Sequence, residues 1–277
     1  LDEKYWSIKS IKGYWPNIRK NGSKYQIKLL KANQGYNLLD SHYKILWPYV
    51  NPKKFYFSSL PLIWARNQIC AIGSDNKNEI YYLFSLLNAP INHYLITKLL
   101  KTEQEKDLLV SISSIKNFIR VPIINFNNKK IKEEIIEQTY KVLSLEEKTL
   151  LDFVDLSTMT IQKFDNVMVE NDYLILKKDS NKYKFVITEK QQLIEKIINE
   201  KYHKQITDGE NQKVILSELK ILPIIDYEKQ KKLKDYIDDL VYSLYFGIEI
   251  KNIGLAYADE IKAKCSEHKY YEMVNAQ

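Results

Sequence analysis

Residues 110–124 read VSISSIKNFIRVPII and residues 214–225 read VILSELKILPII, each followed by a charged helical pattern, starting near Lys129 and Tyr227. Both copies run from a short apolar strand through a Ser-led turn and an apolar step to a proline, Pro122 or Pro223, which stops the turn. Ser114 and Ser217 are placed to cap the short turns. A unit of this kind occurring twice predicts an α+β chain: a basic strand- and loop-rich module, then repeated strand–Pro–helix units, then a helical C-terminal part.

Working outward, residues 79–100 form an amphipathic helix carrying Ile80, Leu83, Phe84, Leu87, Ile91, Leu95 and Leu99 on one stripe, with Pro90 kinking or dividing it. A second helix is expected over 131–153, a third over 188–200 with Thr188 as N-cap, and a last one over 227–245 closed by Gly247. Strands are expected at 167–169, 173–176 and 184–187, with a hairpin turning at 179–181. Before residue 79 the strand candidates are 25–30, after a turn at Asn21 and Gly22, and then 45–50, 55–57 and 62–72. The expected segments are 1–78, a basic aromatic recognition part; 79–160 and 161–250, one strand–Pro–helix unit each; and 251–277, a helical tail.

Charge separates the front of the chain from the rest. Residues 1–100 hold 14 Lys and Arg against 5 Asp and Glu, a balance of +9, whereas residues 101–277 balance at −2. A polyanion-facing segment on a neutral scaffold has this distribution. Cys70 and Cys265 lie far apart, as incidental thiols of a reducing compartment do. No apolar run approaches the roughly 20 residues of a membrane span. The chain opens on Leu1 and reads as part of a longer polypeptide.

Catalytic patterns are scarce. No Gly-rich loop offers itself to a phosphate or adenosyl group. His42, His93, His203 and His268 stand at no metal or triad spacing. Asp226 and Glu228 with Lys229 resemble a nuclease cluster, but they open a helix, where acidic residues favour the macrodipole. What remains is cationic and aromatic. Tyr14, Trp15, Arg19, Lys20, Asn21 and Lys24 share one loop-prone stretch, and Lys53 and Lys54 with Tyr56, and Trp64 with Arg66, Asn67 and Gln68, have the same character. Lys and Arg neutralise phosphates, Arg reads guanine, and Asn or Gln reads adenine. Trp15 is either a stacking platform or a core residue. These are the candidate DNA-binding residues; no catalytic or metal-binding residue is assigned.

Residues 79–100, 111–124 with the charged helix that follows, and 236–246 (YIDDLVYSLYF) with Gly247 resemble, in that order, the C-terminal target-recognition domain of type IIG restriction-modification adenine-N6 DNA methyltransferases of the Eco57I-like and TaqI-like kind. The resemblance implies sequence-specific recognition of double-stranded DNA in the bacterial cytoplasm, off the membrane. The methyltransferase and nuclease domains of the same polypeptide would be its partners. S-adenosylmethionine, and Mg where the parent also cleaves, would be bound by those domains, so the chain is not an enzyme by itself. The family methylates adenine through an Asn-Pro-Pro-Tyr motif; here Asn51 and Pro52 are followed by Lys53 and Lys54. Three alternatives stay open: a specificity subunit of a multi-subunit, type I-like restriction system, a non-enzymatic protein-interaction scaffold, and a nuclease domain, which metal-dependent cleavage by the purified chain would be needed to revive.

Overall fold

The computed structural model describes residues 8–10, 41–60, 68–100, 106–202 and 213–276. In chain order the first elements are β1 (Ile8–Ser10), β2 (Tyr43–Pro48), β3 (Tyr56–Ser58), β4 (Ile69–Ser74), α1 (Lys77–Asn88), α2 (Pro90–Leu100), α3 (Ile112–Phe118), β5 (Arg120–Pro122) and α4 (Lys129–Glu146). There follow β6 (Lys163–Phe164), β7 (Asn166–Glu170), β8 (Tyr173–Lys178), β9 (Asn181–Val186), α5 (Gln191–Tyr202), β10 (Val214–Ile215), α6 (Leu216–Lys220), α7 (Tyr227–Phe246), α8 (Ala258–Ser266) and α9 (Tyr271–Asn275). Helices with antiparallel sheets make this an α+β protein. It divides into two compact units, residues 1–140 with 233–277 and residues 141–232.

In the first unit β2 is the centre of an antiparallel sheet ordered β3-β2-β4. Strand alternation puts Ile45 and Trp47 on one face, both fully buried. The Trp47 indole donates to the Val110 carbonyl at 2.8 Å, so its one polar atom is satisfied. Lys44, on the other face, is equally buried, and its ammonium donates to the carbonyls of Ser41 (2.5 Å) and Leu60 (3.1 Å).

 Asn76 starts α1 by accepting from the Glu79 N–H. Pro90 divides the apolar stripe as expected. Ala89, just before it, is extended (φ −65°, ψ 142°), as the position before a proline prefers. Pro90 then opens α2, where a missing N–H breaks no helical bond. At the other end of the unit α7 stops at Gly247, whose φ is +64°, and the Ile248 N–H reaches back to the Ser243 carbonyl at 3.0 Å. This is the Schellman closure that a left-handed glycine permits.

The second unit is built on a meander, β7-β8-β9. Asn171 and Asp172 both take positive φ between the paired Glu170 and Tyr173, the requirement of a type I′ turn. Asp179 alone has positive φ in the two-residue turn between Lys178 and Asn181, as in type II′. The core here includes Phe164, Leu174, Leu176, Ile194 and Ile198, all fully buried or nearly so.

Three expectations need correction. The helix expected over 131–153 ends at Glu146, and a separate 3₁₀ turn occupies Leu150–Asp152. Asp152 accepts from the Thr149 N–H (2.8 Å) while Leu150 donates to the Leu222 carbonyl (2.9 Å), so these N–H groups are engaged outside an α-helix. Thr188 is not a cap: its hydroxyl and its N–H both donate to the Phe153 carbonyl, and α5 begins three residues later. Neither repeated serine caps its turn. Ser111 caps α3 by accepting from the Ser114 N–H at 2.9 Å, and Ile215 holds the cap position of α6 without a side-chain bond.

Among the described residues no helix is long and apolar enough to cross a membrane.

Candidate nucleic-acid interface

The end of the sheet where β2 stops and β3 and β4 start gathers three of the candidate contact residues. Pro48 pairs with Ile69 and Leu46 with Tyr56, so the turn carrying Lys53 and Lys54 and the residue Gln68 lie at this same end. All three side chains are exposed. Tyr49 donates its N–H to the Gln68 carbonyl at 2.7 Å, extending the pairing one residue beyond the strand.

The turn is held from several directions. Asn51 takes a left-handed φ of 47°, which asparagine tolerates better than most residues. Its side chain donates to Asp107 (2.7 Å) and accepts from the Leu108 N–H (2.7 Å). Asn88, ending α1, accepts from the Phe55 N–H (3.0 Å) and donates to the Phe55 carbonyl (3.2 Å). His93 Nε2 lies 2.9 Å from the Lys53 carbonyl; a carbonyl only accepts, so the imidazole proton sits on Nε2. The Lys54 ammonium lies 5.0 Å from the Tyr56 ring centroid, within cation–π range. Two cations are thus carried on a backbone with little freedom, so a phosphate bound there would impose little further ordering.

A second aromatic and cationic cluster lies on α1 of the same unit. The Lys77 ammonium is 5.3 Å from the ring centroids of Tyr81 and Tyr140 and 5.7 Å from that of Tyr43. Lys132 lies 4.9 Å from the Tyr82 centroid, and burial lowers its pKa against the opposing effect of Glu79. Burial in turn raises the pKa of Glu79.

Tyr14, Trp15, Arg19, Lys20, Asn21, Lys24, Trp64, Arg66 and Asn67 lie outside the described residues, as does the strand expected over 25–30. The structure therefore brings together Lys53, Lys54, Tyr56 and Gln68 alone of the candidates. Sequence reasoning missed Asn88 and His93. Tyr56 is legible as an aromatic beside two lysines, but these two act across gaps of 33 and 40 residues that no local pattern reveals.

The Asn51 amide, the nearest counterpart here to a methyltransferase asparagine, is already engaged by Asp107 and Leu108, and does not fit the clasping of an adenine amino group. Burial pushes the Cys265 thiol up to about 12 and raises Cys70 as well, which keeps both protonated and poorly nucleophilic. No group of three or more His, Cys, Asp or Glu residues able to hold a metal occurs among the described residues. No protein-family model matches the chain, and no curated protein or solved structure matches it either.

Proposed function

We propose that this chain reads the sequence of double-stranded DNA, as the target-recognition part of a bacterial restriction-modification adenine methyltransferase working in the cytoplasm. The observation that carries the reading is the braced turn at the sheet end, where Lys53 and Lys54 stand exposed beside Gln68 on a backbone fixed by Asn51, Asn88 and His93. The +9 balance of the first hundred residues supports it. Affinity comes chiefly from Lys–phosphate pairs and specificity from a few side chains at base edges. Methyl transfer belongs to a separate domain of the same polypeptide, which binds S-adenosylmethionine.

The test is selection from a pool of random duplexes at two salt concentrations, with sequencing of the retained DNA. Enrichment of one short motif, with affinity falling steeply with salt, is the expected result. Replacing Lys53 and Lys54 together by Ala should weaken binding to all sequences alike and flatten the salt dependence by about two in slope. Retention without enrichment would reduce the chain to a non-specific clamp. Absence of retention would sink the reading in favour of a protein scaffold.

A further inference from the structure

Phe126 is 94% exposed, the most exposed large apolar side chain among the described residues. Isolated surface apolar residues are common, but this one stands on a stitched loop. Asn125 Oδ1 accepts from the N–H groups of Asn127 (2.9 Å) and Asn128 (3.3 Å). In return Asn128 Oδ1 accepts from the Asn125 N–H (2.7 Å), and its amide donates to the Ile123 carbonyl (2.9 Å). Paired Asx contacts of this kind fix the backbone on both sides of the ring. The phenyl group is held out into solvent.

Its surroundings specify the partner. The loop carries no carboxylate between residues 123 and 130, and α4 opens directly after it with Lys129, Lys130 and Lys132 and no acidic residue in its first turn. Cations at this end of a helix oppose the macrodipole, and an anion bound there relieves the conflict. Lys129 is balanced in part by Glu133 at 3.6 Å, and Lys132 turns onto Tyr82, while Lys130 is exposed. A groove of about 1140 Å³ beside the ring is lined in part by Ile123, Leu244 and Ile248, with Glu133 and Glu249 offset by Lys129, Lys130 and Lys251. An exposed flat ring flanked by amides and cations matches a ligand with anionic edges and stacked aromatic faces, which is duplex DNA.

We propose that Phe126 is a wedge that enters the base stack of bound DNA, with Lys129 and Lys130 on the flanking phosphates and Asn127 at the base edges. The proposal rests on the DNA-reading function above. Apolar wedges of this type partly unstack a base step and kink the duplex, and amide side chains beside them read the minor groove. An opened step also eases extrusion of a neighbouring nucleotide, which a base-modifying enzyme requires.

The experiment uses the full chain and short duplexes of the selected sequence carrying 2-aminopurine at successive positions, with end-labelled copies to report bending by energy transfer. The unaltered chain should raise 2-aminopurine emission at one step and shorten the end-to-end distance. Phe126→Ala should abolish both signals even at protein concentrations that saturate the duplex, and Phe126→Leu should keep part of them. Lys130→Ala should leave the signals in place but lower the salt slope by about one. Equal emission and bending with Phe126→Ala, in a complex that still depends on Lys53 and Lys54, would overturn the wedge and leave the reading function standing. Failure of the unaltered chain to hold any duplex would overturn both.

Discussion

Asn92 donates its side-chain amide to the Tyr245 hydroxyl at 2.9 Å, joining α2 to α7 across 153 residues of sequence. The Tyr245 hydroxyl in turn donates a hydrogen bond to the Arg120 carbonyl in β5, so three elements meet at one hydroxyl. Both side chains are buried to within 1% of full burial. Tyr245→Phe keeps the ring but leaves the Arg120 carbonyl and one Asn92 N–H without these partners. The expected loss is about 1–3 kcal/mol, read by urea denaturation. A loss well below that range would mean that water or a shifted Asn92 replaces the hydroxyl.

At Gly247 the backbone alone sets the penalty. An added Cβ would meet nothing within 4 Å, yet φ is +64°. Gly247→Ala should therefore destabilise by about 1 kcal/mol through left-handed strain, and Gly247→Asn by less. Equal stability of the alanine variant would show that the chain leaves α7 by another path.

Asn88 provides a test of bracing that leaves charge untouched. Asn88→Ala removes three side-chain bonds, two to Phe55 and one to the Phe84 carbonyl. Faster amide exchange at Phe55 is expected, together with weaker DNA binding at an unchanged salt slope. A fall in slope instead would mean that Lys53 or Lys54 had lost its phosphate, rather than that the turn had loosened.

Asp238 should make stability depend on pH. Desolvation of its half-buried side chain, reinforced by Asp235 and Asp239 and opposed by Lys234, holds its carboxyl well above the usual carboxylate range. The folded state therefore binds the proton more tightly than the unfolded state. Between the unfolded pKa of about 4 and the raised folded value, stability falls as pH rises, and the deficit stays constant above the folded value. Asp238→Asn should accordingly raise the melting temperature at neutral pH, with the gain vanishing at and below about pH 4. A gain that persists unchanged into acid would assign the effect to packing instead of ionisation.

Much of the fold was legible because its signals are local. Pro90 within an apolar stripe divides two helices, Gly247 ends α7, and the turn at Asp179 lies between alternating runs. Asn171 and Asp172 carried an equally local signal for a hairpin that was not read. Boundaries failed where a distant backbone decided them: the segment after Glu146 turns towards Leu222 and Pro223, and Thr188 is occupied by Phe153. The candidate site was legible as charge and aromatic content at Lys53, Lys54, Tyr56 and Gln68. Its bracing was not, since Asn88 and His93 are ordinary polar residues on helical stripes until the sheet places the turn beside them.

The first unit is assembled from two stretches of chain that flank the second in sequence. A ribosome adding about 5–20 residues per second would make Asn92 roughly 8–30 s before Tyr245. For that interval the nascent first unit lacks α7, and Leu86, Leu87 and Ile91, which end fully buried or nearly so, have no completed core to enter. Residues 141–232 are contiguous and can close in the meantime. Order of synthesis thus reverses order of completion: the part begun first finishes last, and chaperones have their longest opportunity on the unit that carries the braced lysines.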